Sequence, residues 1–447
     1  MKTRWTWLLL LALPVFLTWN LSWERGRPAR SSTYAGETPA LLEEEPKGEV
    51  AFPSFRMQEI ETGLKVGYAV LLVDINNDGK PDIVVVDANR VVWYENPTWK
   101  RRTIIEGQTK PDNVCIAAYD IDGDGQIDLA LGAGWKPFDT KEGGTIQWLK
   151  RGKTLDDPWT LHPIGEEPTV HRMCFADLDG KGMSLIVAPL MGRNSTAKNN
   201  WMDGSPVRIL TYRIPKDPTH DRWVPEVISE DLHVVHNILP TSSYWGGGPR
   251  ILAASYEGVT ELSRTGEHWS SKRLSDGNQQ NPKSNRGASE VALGGARGGG
   301  GTGFAHHFVA TIEPWHGNQV VVYTEPTAGM LTGMPETFWH RYVVDERLKW
   351  GHAVQCGDLD GDGDYEIIVG VRDNLSDKPG ERRGVRIYKA LDKRGTRWAR
   401  HIVEDGGVAV EALAVADLNG DGRPDIVAAG RQTGNVRIYW NEGIKSK

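Results

Sequence analysis

Four stretches of the sequence set oxygen-bearing side chains at alternate positions around a glycine. They are Asp74, Asn76, Asp78 and Asp82; Asp120, Asp122, Asp124 and Asp128; Asp358, Asp360, Asp362 and Glu366; and Asp417, Asn419, Asp421 and Asp425. Gly79, Gly125, Gly363 and Gly422 stand where the tight turn demands a positive φ. Hard oxygen ligands at this spacing wrap a cation the size of Ca²⁺. A fifth stretch keeps Asp177 and Asp179 but carries Lys181 in the third ligand position and Leu185 in the last. The Lys181 ammonium is expected to neutralise those carboxylates in the metal's place. The pattern predicts four filled, structural Ca²⁺ loops and an empty one.

A second set of reactive side chains lies six residues before the first Asp of each loop: Tyr68, Val114, His171, His352 and Glu411. A looser alignment adds His236 and Glu290. Imidazoles with carboxylates suit general acid–base chemistry near pH 7. Nearby segments carry Trp135, Lys136, Arg193, Tyr256, Glu313, Trp315, His316, Arg372 and Arg431. Arginines bind anionic or enolate oxygens, and aromatic faces stack on sugars. Any one of these histidines alone reads as a hydrogen-bonded structural residue; their convergence is the informative point. A divalent metal held by His and Glu is a second candidate cofactor, although three His on separate strands have no local metal-site spacing.

The elements that must position these residues emerge from internal repetition. A Trp or Phe followed by polar residues and a short apolar strand recurs at residues 99–107, 159–166, 223–230, 269–276, 339–346 and 398–406. Each copy leads into an apolar strand, an Asp loop or its replacement, and two further strands. Seven units of four short strands predict an all-β, seven-bladed β-propeller over residues 51–447, with strands running from the inside outward. A displaced seventh copy, residues 55–63, is expected to close the ring as the outermost strand of the last blade. Blade 4 has residues 239–249, and blade 5 the glycine-rich residues 294–303, where the Asp loop would fall. Because the loops follow the innermost strands, the polar set at the starts of those strands belongs to the opposite mouth of the central channel. Insertions at residues 134–144, 192–206 and 372–384 project to the same side.

With 447 residues, 39% of them apolar and 25% charged, the composition is that of a globular chain. A net charge of −7 concentrated in Asp loops gives no basic surface for nucleic acid. Lys2 and Arg4 precede an apolar run to Trp23, so residues 1–23 read as a cleaved export signal or a retained membrane anchor. Residues 24–50 read as a linker. The protein is expected to be exported, meeting a membrane only through that segment. Cys115, Cys174 and Cys356 read as small buried hydrophobes.

The Asp loops resemble the FG-GAP and VCBS repeat families, which implies propeller fold and calcium rather than any one activity. Blades 3 to 5 resemble the propeller domain of the aldos-2-ulose dehydratases. The resemblance is carried by Val170-His171-Arg172, Val187 to Arg193, Leu232 to Asn237, Ala253 to Gly258 and Ile312 to Gly317. It implies dehydration of an anhydrofructose-like keto-sugar. His171 or His236 would be the base and His352 the acid–base partner, with Glu290 and Glu411 in support. Arg193, Arg372 and Arg431 would bind substrate or enolate, and Trp135, Tyr256 and Trp315 would stack on the sugar. Those dehydratases carry cupin domains after the propeller whereas this sequence stops at Lys447, so chemistry that needs the cupins is not expected of it. The alternative is a non-catalytic propeller that binds a cell-surface glycan or protein; a quinone-dependent sugar dehydrogenase has no signature here.

Overall fold

The computed structural model describes residues 50–241, 248–281, 285–297, 304–326, 338–372 and 378–445. The expected signal or anchor and nearly all of the expected linker lie outside them, as do parts of the blade 4, 5 and 6 loops. The described strands form seven four-stranded antiparallel sheets. Helix is confined, among the described residues, to the short 3₁₀ turn Ala197–Asn199. No described helix is long and apolar enough to cross a membrane.

The innermost strands, in blade order, are Ala69–Val73, Cys115–Tyr119, Val170–Asp177, Asn237–Thr241, Glu290–Arg297, Gly351–Gly357 and Val410–Ala416. Each packs against the next, and the last returns to the first. The second strands are the hydrophobic heart of the blades. Asp82–Asp87, Asp128–Ala133, Glu366–Val371 and Asp425–Gly430 are buried along their whole length, which explains their near-continuous apolar sequence. Apolar layers between blades, such as Val84, Val86 and Trp93 against Ile116, Leu131 and Trp148, form the core.

Ring closure is as the displaced repeat predicts. Phe55–Glu61 pairs antiparallel with Val436–Asn441, from Phe55 opposite Asn441 to Glu61 opposite Val436. Side chains reinforce the ladder: Arg437 Nε donates to Glu59 Oε2 at 2.7 Å and Trp440 Nε1 to Gln58 Oε1 at 2.9 Å. The three cysteines are unpaired thiols on innermost strands.

Candidate active site

In three blades a backbone irregularity presents the polar residue at the start of the innermost strand. The register with the neighbouring strand shifts between Val170 and Arg172, between Gly351 and Ala353, and between Val410 and Ala412. His171, His352 and Glu411 are therefore the extra residues of β-bulges, a device that re-aims a side chain where a regular ladder would not. His236 lies one residue before Asn237–Thr241, and Glu290 opens its strand in regular register. Tyr68, Val114, His171, His236, Glu290, His352 and Glu411 are all buried.

Four histidines converge. The His171 and His236 ring centroids are 4.7 Å apart, and those of His236 and His352 5.1 Å. His316, from the loop after blade 5's second strand, lies 4.5 Å from His236 and 4.6 Å from His352. Its Nε2 is 2.8 Å from His236 Nε2. Candidate ligand atoms of His236, His316 and His352 all fall within 4.8 Å of one another. Each outer partner constrains a tautomer. His236 Nδ1 is 2.7 Å from Glu290 Oε1 and 3.1 Å from the Ser289 carbonyl, so it carries the proton and Nε2 keeps its lone pair. His352 Nδ1 donates to the Glu411 carbonyl at 2.6 Å, leaving its Nε2 unprotonated. His171 is turned the other way: Arg172 donates to its Nε2 at 3.2 Å, so its proton is on Nδ1. That buried N–H has no well-aligned acceptor among the described residues, although the His236 backbone lies within reach of the ring. Burial holds His171, His316 and His352 well below the ordinary imidazole range, and lowers His236 less because Glu290 opposes the effect.

Two carboxylates back the imidazoles. Glu290 also receives Asn237 Nδ2 at 2.5 Å and lies 3.5 Å from Arg172 Nη2. Glu411 is held by Arg431 Nη1 at 2.7 Å and Arg372 Nη1 at 3.0 Å, with His352 Nε2 3.8 Å away. Trp135 packs 5.1 Å from His171, and Trp315 stacks on His316 at 3.8 Å with Tyr256 edge-on at 6.1 Å. Tyr68 lies under Arg431, its hydroxyl donating to Asp112 at 3.2 Å; burial pushes its pKa up to about 12.

Two expected substrate binders are engaged elsewhere. Arg193 forms a fork–fork pair with Glu167, both contacts 2.9 Å, and pins the blade 3 insertion rather than facing the histidines. Glu313 is fully buried within blade 5, accepting from Thr311, Tyr323 and Arg341. Arg172 was missed. Strict alternation puts it on the far face from His171, but the bulge brings both into the cluster.

On the opposite mouth, the Asp loops are folded in the expected way. Gly79 N–H donates to Asp74, Gly125 to Asp120, Gly363 to Asp358 and Gly422 to Asp417, at 2.7–3.0 Å. Each loop's last acid, Asp82, Asp128, Glu366 or Asp425, is buried at the start of a second strand. Burial raises Asp82 and Asp128 to about 6 and Glu366 to about 8. The carboxylates of Asp120, Asp122 and Asp128, and those of Asp358, Asp360 and Glu366, gather closely enough to share an ion. Lysines approach the same groups: Lys150 meets Asp122, and Lys389 meets Asp360 and Asp362. In the fifth loop the neutralising cation is not Lys181. Arg213 Nη2 reaches Asp179 at 2.6 Å, with Arg264 at 3.7 Å.

Compared with known proteins, residues 143–326 match the aldos-2-ulose dehydratase β-propeller domain, a stretch that includes His171, His236, Glu290 and His316. The chain resembles the dehydratase propeller. Residues 74–131 and 358–428 match FG-GAP-like repeats. Aldos-2-ulose dehydratase of Phanerodontia chrysosporium is 28% identical over 295 residues, covering 63% of this chain and 31% of that protein. The chain thus spans under a third of the dehydratase's length. A chain from the crystal structure of BBS1N in complex with ARL6DN, soaked with lead, superposes with a TM-score of 0.50 at 14% identity, over 88% of this chain and 98% of that one. That likeness concerns the fold alone.

Proposed function

We propose that the histidine cluster is the active site of a carbon–oxygen lyase that dehydrates an anhydrofructose-like keto-sugar. The observation that carries this reading is the convergence of His171, His236, His316 and His352 at one level of the channel, backed by Glu290 and Glu411. The similarity to the dehydratase propeller supports the substrate class.

The residues supply each part of the elimination. His236, its Nδ1–H held by the Ser289 carbonyl beside Glu290, has an Nε2 lone pair that accepts from His316 Nε2 at 2.8 Å and, once substrate displaces that contact, takes the proton from the carbon beside the carbonyl. The Nδ1–H of His171 donates to the carbonyl oxygen as it gains charge. The C–O bond at the next carbon then breaks, and the departing hydroxide takes the proton from the His236–His316 pair. Water leaves, a C=C bond conjugated to the carbonyl remains, and both imidazoles end neutral. Trp135 and Trp315 flank the ring, and Arg372 and Arg431 hold Glu411 in place.

A divalent metal on His236, His316 and His352 is a second reading, favoured by the converging lone pairs of His236 and His352 and by their anchored outer nitrogens. Bound there, the ion would polarise the keto oxygen as a Lewis acid. We also propose structural Ca²⁺ in the loops of blades 1, 2, 6 and 7, and export of the chain through its N-terminal segment.

The test is turnover of 1,5-anhydrofructose, followed by the absorbance of the unsaturated ketone. His236→Ala is expected to lose about 10²–10⁴-fold in rate with its melting temperature kept. Wild-type protein that binds glycans but never turns over a keto-sugar would instead establish the binding-module alternative. About one equivalent of Zn²⁺ per chain, lost in His316→Ala, supports the metal. Turnover that survives exhaustive chelation supports proton transfer by imidazole alone.

A further inference from the structure

The insertions of blades 2 and 3 build something the elimination chemistry does not use. Phe138, on the blade 2 insertion, is 78% exposed, more than any other large apolar side chain described. Its ring faces that of Trp201, on the blade 3 insertion, with centroids 6.1 Å apart and planes 20° from parallel. The two insertions are laced together: Thr140 Oγ1 donates to the Ser195 carbonyl at 2.9 Å, and Asn194 N–H to the Thr140 carbonyl at 3.3 Å. Each is also braced internally. Asp139 accepts from the Lys141 and Glu142 N–H groups at 3.1 Å, and Asp203 accepts from Thr196 N–H and Oγ1 at 2.6 and 2.7 Å. An aromatic pair left in water contributes little to folding, and such surfaces mark binding sites.

A series of aromatic contacts, passing through the buried Tyr256, links this platform to the histidines. Asn200, next to Trp201, accepts from Tyr256 Oη at 3.4 Å; Tyr256 meets Trp315 edge-on, and Trp315 stacks on His316. Two buried donors along the route, Trp315 Nε1 and Arg286 Nε, have no acceptor among the described residues. The Arg286 guanidinium lies 5.8 Å over the Tyr256 ring. Buried N–H groups without acceptors are costly in isolation, and a ligand rich in hydroxyls would satisfy them.

We infer that this route is a second sugar subsite. One pyranose stacks on the Phe138–Trp201 platform while the ring bearing the carbonyl sits at His236, so the substrate is a glycosyl-extended keto-sugar of two or more units. The inference rests on reading the histidine cluster as the reactive centre. An aromatic face suits the C–H face of a pyranose, and the orphan N–H groups suit its hydroxyls.

Calorimetric titration of the full chain with glucose, maltose, cellobiose and laminaribiose tests it. At least one disaccharide should bind about tenfold more tightly than glucose. In Phe138→Ala, and independently in Trp201→Ala, that ratio should fall to about one, with the melting temperature of the Phe138 variant kept because the side chain is exposed. A wild-type ratio near one for all three disaccharides overturns the inference, as does an advantage that survives both substitutions. Failure of the lyase reading is distinguishable: a disaccharide advantage lost in Phe138→Ala, without any turnover of 1,5-anhydrofructose or of its glycosylated form, sinks the lyase and leaves the subsite standing. Monosaccharide turnover without a disaccharide advantage does the reverse.

Discussion

Arg172 ties the two halves of the histidine cluster, donating to His171 Nε2 and reaching Glu290 3.5 Å away. Its planar fork serves both contacts at once, which a lysine ammonium cannot do. Arg172→Ala should therefore lower keto-sugar turnover about 10–10²-fold, and Arg172→Lys should not restore it, with circular dichroism showing an unchanged fold. His171, His352 and Glu411 were legible from a fixed offset to the Asp loops, His236 and Glu290 from a looser alignment, and His316 from the loop that follows in blade 5. Arg172 was not, because a bulge changes the side-chain alternation and leaves no local mark in the sequence. Arg193 was placed on the right loop and Glu313, expected on a connection, ends the strand Phe304–Glu313, but their partners Glu167 and Arg341 lie 26 and 28 residues away in sequence. A pairing across strands at such separations cannot be read from composition.

At the scale of elements, each Asp loop joins an exposed turn to the most buried strand of its blade. The last acid of each loop is taken out of water, and its raised pKa measures the resulting cost. A cation bound at the loop would offset that cost. Chelation should lower the melting temperature by several degrees, with Ca²⁺ restoring it, since a site held at a hundred times its Kd contributes about 2.7 kcal/mol. Asp425→Asn should remove part of that Ca²⁺ response. Asp179→Asn should leave it intact, because Arg213 already supplies the positive charge there. Differential scanning calorimetry with and without Ca²⁺ separates the cases. The sequence showed that the fifth loop departs from the pattern. It hid the identity of the cation because Arg213 sits opposite Ser184 on the neighbouring strand, not within the loop.

At the scale of the molecule, the propeller was legible because its repeat is displaced by one strand, and only a closed ring gives the orphan copy a partner. Glu59 secures that closure. Hydrogen bonds from Asn435 and Arg437 hold its carboxyl below the ordinary value of 4.5. A carboxylate with a depressed folded pKa stabilises the native state above its unfolded pKa, and the contribution is lost as pH falls through the folded one. Acid should therefore weaken the clasp below about pH 4.5, and Glu59→Gln should show a shallower fall of melting temperature over that range. A variant with the same acid dependence as wild type would show that the closure does not depend on this charge.

The clasp also sets a schedule. Phe55–Glu61 leaves the ribosome ahead of the other described strands, yet its partner Val436–Asn441 follows only after six intervening blades. Until then one strand waits with unsatisfied backbone groups, and the nascent chain carries an open edge able to pair with a neighbour's. Glu411 lies on the innermost strand of the same final blade. The histidine–glutamate cluster and the closed ring thus both depend on the seventh blade, and a chain interrupted before it would lack Glu411 and the closing pair alike.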